Sequence, residues 1–175
     1  MKLSLNWLKK YIDIPDSIGP EELSRQLTRC VAEVEGFEKE GALLENVVVG
    51  KIISVNKHSN ADSLMVCEVD AGEKIPYTVV CGGSNLKKGM HVALALPGAM
   101  VQWHGEGEPV KVKKIKIRGV ESNGMICASE EIGLGDLYKK LDDNEILDLE
   151  QHSINGKIGD SIRTLLGYSD IIFEV

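Results

Sequence analysis

Five cations fall within eight residues of this chain: Lys111, Lys113, Lys114, Lys116 and Arg118. In an extended strand side chains alternate, so Lys114, Lys116 and Arg118 share one face while Ile115 and Ile117 share the other. A strand with apolar residues inward and three cations outward can track the phosphates of a nucleic acid. The same pattern also suits a solvated edge strand that lysine keeps from aggregating. Two turn motifs accompany it. In Lys57-His58-Ser59-Asn60-Ala61-Asp62, Asn60 and Asp62 can bond nearby backbone N–H groups, which makes either a structural turn or a polar rim presenting Lys57 and Asn60. Arg118 to Met125 contains Ser122-Asn123-Gly124, a strong turn signal.

Catalytic signatures are missing. The sequence has no G-x-x-x-x-G-K-[ST], G-x-S-x-G or H-E-x-x-H, so phosphate-cradling, acyl-transfer and metalloprotease chemistry lack their usual residues. The pairs Glu130-Glu131 and Asp142-Asp143 read as solvated acids. Cys30, Cys67, Cys81 and Cys127 include no C-x-x-C pair, and three of them sit in apolar runs as small hydrophobes. A zinc site built from them with His58 or His91 would lack the usual local ligand spacing. No catalytic residue and no metal ligand is therefore predicted, and binding is the better-supported role. With only 8 aromatics in the chain, and only Tyr77 and Trp103 near the strands, reading the shape of a folded RNA is favoured over base stacking.

These residues need elements to hold them. Leu5, Leu8, Tyr11 and Ile12 recur at helical spacing until Pro15, with Trp7 and Tyr11 expected in the core. Pro20, Glu21 and Glu22 suit the start of a second helix that ends before Gly36. The period then changes to two: 47–55, 64–69, 77–82, 91–96 and 110–117 read as strands, with a short sixth piece at 125–128. Five such runs at short spacing predict a small antiparallel barrel, and Gly50 inside the first run suggests a bend or bulge. Residues 160–166 suggest a short capped helix, and Asp170–Val175 a strand that runs into the chain end, as in a piece of something longer.

The 175 residues carry a net charge of −7 and 43% hydrophobic residues, which excludes disorder, collagen and a coiled coil for the whole chain. No apolar run approaches the roughly 18 residues of a membrane span, and Met1–Lys10 does not resemble a signal peptide. Together with unpaired thiols this points to the cytoplasm. Charge is uneven: residues 106–121 sum to +2 and residues 122–175 to −7. The overall sign argues against a duplex-DNA partner, while a local cationic strip remains.

Four stretches carry a family resemblance: SLNWLKKYIDIP at 4–15, CVAEVEGFE at 30–38, VVVGKIISVNKHSNADSLMVCEVDAG at 47–72, and KIKIRGVESNGMICASEEIGLG at 114–135. Together they resemble the N-terminal part of bacterial-type phenylalanyl-tRNA synthetase β subunits. The central two-thirds, with VVCGGSNLKKG and VALALPGA, is similar to the tRNA-binding OB domain found in several synthetases and in free-standing tRNA-binding proteins. The resemblance implies a mainly β chain, in which a five-stranded OB-fold barrel at 40–151 is inserted into a small α+β domain formed by 1–39 and 152–175. It implies tRNA as ligand and a catalytic α subunit as partner in an (αβ)₂ tetramer. ATP and Mg²⁺ would then belong to the full enzyme, with no cofactor within these residues. Lys57, His58, Asn60, Asp62 and Leu64 fall on the family's K-H-P-N-A-D-x-L loop, with Ser59 in place of its proline, which loosens the turn. Arg118, Ser122, Gly124 and Met125 match R-G-x-x-S-x-G-M. The tRNA-binding residues expected by resemblance are thus Lys57, His58, Asn60, Asp62, Ser84, Asn85, Lys87, Lys114, Lys116, Arg118, Ser122 and Met125. The alternative roles are a packing module of the tetramer with little RNA affinity, or a free-standing tRNA-binding protein.

Overall fold

In chain order the elements are β1 (Lys2–Ser4), α1 (Leu5–Leu8), α2 (Pro20–Cys30), β2 (Gly36–Lys39), β3 (Val47–Lys57), β4 (Met65–Asp70), β5 (Tyr77–Cys81), β6 (His91–Ala95), β7 (Met100–Val101), β8 (Val110–Lys111), β9 (Ile115–Ile117), β10 (Val120–Ser122), β11 (Met125–Ile126), α3 (Ile162–Leu165) and β12 (Ile171–Glu174). They come from a computed structural model that describes all 175 residues. The chain divides into two units, Met1–Gly41 with Tyr168–Val175, and Ala42–Gly167.

The first unit is an antiparallel sheet in the order β1-β12-β2 with two helices. Phe173 lies between Leu3 and Phe37 in register, and with Leu23 it makes the unit's buried core. Ser4 caps α1 by accepting the Trp7 N–H at 2.9 Å. The first helix is shorter than expected: it stops after one turn at Leu8, and mixed turns follow. One turn gives no continuous apolar face, so Trp7 and Tyr11, expected in the core, stay 51% and 71% exposed and pack on each other at 4.9 Å. The second helix starts as expected, with Pro20 in its first turn and Glu21 and Glu22 at its positive end.

The second unit is a five-stranded antiparallel sheet in the order β11-β6-β3-β4-β5. Ile52, Cys67, Val69, Val79, Val92 and Leu94 fill its interior. Its two edges meet across β10 and β11. The Asn123 N–H donates to Thr78 O at 2.7 Å, and the Val80 N–H donates to Ser122 Oγ at 3.1 Å. The expected five-stranded barrel of OB type is thus present and nearly closed. β3 serves both halves, with Val47–Lys51 paired to β6 and Lys51–Lys57 to β4. The register shift falls between Ile52 and Ser54, so the bulge that curls the sheet is at Ile53 rather than Gly50. Gly50 answers a different need: a Cβ there would lie 2.7 Å from Val69 Cγ1 and 3.1 Å from Leu94 Cβ.

Two further expectations change. The run 110–117 is not the fifth barrel strand; β11 takes that place. Val112 turns inward to 8% exposure and exchanges backbone bonds with Gly98 and Ala99, each 2.8 Å long. This breaks the run into β8, paired with β7, and β9, paired with β10. The boundary expected at residue 152 lies instead after Gly167. Residues 152–167 stay with the barrel because Val49 exchanges backbone bonds with Gly159 and Asp160, at 2.8 and 2.9 Å, and Ile154 and Ile162 are buried.

All four cysteines are free, Cys30 exposed and Cys67 and Cys127 buried. Burial pushes the Cys67 thiol up to about 12 and that of Cys81 up to about 11. No helix is long and apolar enough to cross a membrane.

Candidate nucleic-acid interface

β9 and β10 form a hairpin in which Ile117 faces Val120 and only Arg118 and Gly119 lie between. A two-residue turn of the type I′ kind, which matches the twist of its strands, has positive φ at both central positions. Gly119 supplies this readily at φ 96°, and Arg118 adopts it at φ 47°, a conformation a side chain with Cβ seldom takes. Arg118 therefore stands at the tip of the hairpin and not along its strand, as alternation alone suggested.

The loop after β3 grips that tip. His58 is only 5% exposed. Its Nδ1 accepts the Asn60 N–H at 3.0 Å, which leaves Nε2 to carry the hydrogen donated to Ile117 O at 3.1 Å. Asn60 Nδ2 donates to Arg118 O at 3.3 Å, and Arg118 Nη1 donates to Asn60 O at 3.2 Å. The His58 N–H closes its own loop onto Leu64 O at 3.1 Å.

Alternation does hold for the other cations. Lys114 and Lys116 lie on the face of Glu121, Lys116 opposite it in register, and Lys114 Nζ reaches Glu121 Oε2 at 3.0 Å. The hydrogen bond from Lys114, with the charges of Lys114 and Lys116, holds the Glu121 carboxyl below its usual value. Lys57, Lys113, Lys116 and Arg118 are exposed and make no ion pair.

The opposite face of the hairpin does not enter the core. Ile115, expected inward, is 52% exposed. With Ile117 it lines an open apolar groove of about 610 Å³ whose other walls include Trp103, Val112, Ile126 and Ile146. Lys111, Lys113 and Lys140 also border it, though Lys140 is paired with Glu130 at 2.8 Å. Glu131, expected as a solvated acid, is buried beside the groove and accepts the Ala128 N–H at 2.8 Å; burial pushes its carboxyl above the usual value.

The structure thus brings His58 and Asn60 to the hairpin of Lys114, Lys116 and Arg118, with Lys57 exposed at the end of β3 just before them, while Met125 lines the groove behind the hairpin. Three of the other residues expected to touch RNA, Ser122, Asn85 and Ser84, are engaged elsewhere. Ser122 is 2% exposed; its hydroxyl accepts from Val80 and donates to Gly124 O at 3.2 Å, so it seals the barrel edge. Asn85 spends its amide on the backbone of Ile146, with both bonds at 3.0 Å. Ser84 bonds the Asp142 carboxylate, which helps hold that acid below its usual value. Asp62 and Lys87 are exposed on loops. Sequence reasoning missed Trp103 as a groove wall and the groove itself, because the walls come from stretches of chain spread between Leu64 and Ile146. The turn at Arg118-Gly119 did leave a signal, an X-Gly pair between two alternating runs.

Comparison with known proteins gives a consistent result. Residues 47–157 match the family described as "Putative tRNA binding domain". The phenylalanine–tRNA ligase β subunit of Protochlamydia amoebophila is 40% identical over all 175 residues of this chain, which cover 20% of that subunit. Those of Oceanobacillus iheyensis and Coxiella burnetii are 38% and 39% identical over the same span, covering 21% and 20% of their lengths. The chain spans about a fifth of the length of the curated relatives it matches.

Proposed function

The chain belongs to the family of tRNA-binding domains, and from that premise we propose that its second unit holds tRNA on the cationic face of the β9–β10 hairpin. Lys57, Lys116 and Arg118 contact phosphates, and Lys114 does so in competition with Glu121. The single observation that carries this reading is a hairpin tip with unpaired cations, fixed by hydrogen bonds to the loop 58–64. Such a surface reads backbone shape rather than base edges.

The 175 residues act as a non-catalytic module of a phenylalanine–tRNA ligase β subunit. Identity of 38–40% to such subunits over the full chain supports this. The ligase attaches phenylalanine to tRNA with ATP and Mg²⁺ in other parts of the enzyme. A catalytic α subunit completes an (αβ)₂ tetramer, and the assembly works in the cytoplasm. The test is fluorescence anisotropy of a labelled phenylalanine tRNA transcript against a DNA duplex of similar charge. Tighter binding of the tRNA, weakened when Lys57, Lys116 and Arg118 are all changed to Ala, is expected. Equal binding of tRNA and duplex, or a triple variant indistinguishable from the parent, would overturn the reading.

A further inference from the structure

We propose that His58 and Asn60 are positioning residues that act on tRNA binding through Arg118, and that neither is itself a phosphate contact; this rests on the hairpin reading above. Three observations carry it. His58 is buried at 5% exposure, out of reach of a backbone phosphate. Both of its ring nitrogens are already used, Nδ1 as acceptor from Asn60 and Nε2 as donor to Ile117. A ring with Nδ1 accepting is neutral, so His58 offers no cation to an anionic ligand. Arg118, in contrast, sits at a positive φ of 47° that a β-carbon disfavours. The carbonyl on each side of its strained α-carbon is held from the same loop: Ile117 O by His58 and Arg118 O by Asn60.

The side chain is aimed by the same contact. Of the five guanidinium N–H groups, one donates to Asn60 O, which leaves four for a phosphate. Without the loop, the turn would relax toward a negative φ at Arg118 and swing the guanidinium away from Asn60 O, where it is now held at the hairpin tip. The loop is thus an orienting clamp for one cation of the interface.

A double-mutant cycle tests this on the full chain, with tRNA affinity and its salt dependence as readouts. His58→Asn keeps the short bond to the Asn60 N–H, because an Asn side chain accepts from the backbone two residues on, but it cannot reach Ile117 O. Arg118→Ala should weaken tRNA binding about fivefold or more. His58→Asn should weaken it by a similar factor and lower the salt slope by about one, although it removes no cation. The double variant should bind no worse than Arg118→Ala alone. Asn60→Ala, at an exposed position, should repeat the pattern and replaces His58→Asn if the latter does not fold. An Arg118→Ala effect that simply multiplies with that of His58→Asn, or an unchanged salt slope in both clamp variants, would overturn the clamp. Unchanged affinity in Arg118→Ala would instead sink the hairpin reading on which it rests.

Discussion

Glu121 is the one carboxylate built into the cationic hairpin, and it faces Lys114 and Lys116. An exposed pair of this kind is easily opened by a competing anion. Glu121→Gln should therefore raise tRNA affinity and steepen its salt dependence by about one counterion, as Lys114 becomes free for phosphate. Equal salt slopes for Glu121→Gln and the parent would show that Lys114 never reaches the ligand. At this scale the sequence was legible where one strand's alternation decides the outcome, as for Lys114 and Lys116. It was misleading where a partner across space decides it. Ser122 has the type and motif of a surface contact, yet the Val80 N–H needs an acceptor at the barrel seam, and an unpaired buried donor would be costly. His58 looked like a ligand candidate, and only the positions of Asn60 and Ile117 reveal that its ring is fully engaged.

Elements were legible as far as their hydrophobic period ran unbroken. β3 to β6 lie where the alternating runs place them, because each has one face on the barrel interior. The run at 110–117 kept its period through Val112, but a long loop between two barrel strands can fold back on itself, and period alone does not say which partner a strand takes. Gly50 shows the same limit: a strand glycine marks a bulge or a close approach, and here Val69 and Leu94 decide for the second. Gly50→Ala should cost roughly 1–3 kcal/mol of barrel stability by overpacking, seen as a lower midpoint in urea with an unchanged slope. A variant as stable as the parent would mean that the interior is looser than these distances imply.

The first unit makes its own prediction at this scale. Burial alone would raise the Asp170 carboxyl. Hydrogen bonds from Ser4 Oγ and from the N–H groups of Asn6, Ile171 and Leu5 outweigh it and hold the group below its usual value. A carboxyl depressed on folding adds stability that is present above its unfolded value, about 3.9, and is lost as pH falls through the folded one. Asp170→Ala should cost the first unit about 1 kcal/mol at neutral pH, with the gap from the parent closing below about pH 4. A gap that stays constant down to pH 2 would contradict the role given to this carboxylate.

At the scale of the whole molecule, a chain with net charge −7 presents a compact cationic hairpin. The two are compatible because charges more than about 8–10 Å apart are largely screened at physiological salt. Fold type and ligand class were legible at this level because both depend on patterns spread along the chain. The unit boundary was not, since residues 152–167 are placed by backbone bonds to Val49 and not by their own period. The account turns on whether the unpaired cations of one hairpin carry the contact to tRNA. Its most direct test is the salt dependence of tRNA affinity for the parent chain and for Lys116→Ala/Arg118→Ala, measured from low to moderate salt. The account predicts weaker binding with a slope shallower by about two counterions; an identical slope for the two proteins would contradict it.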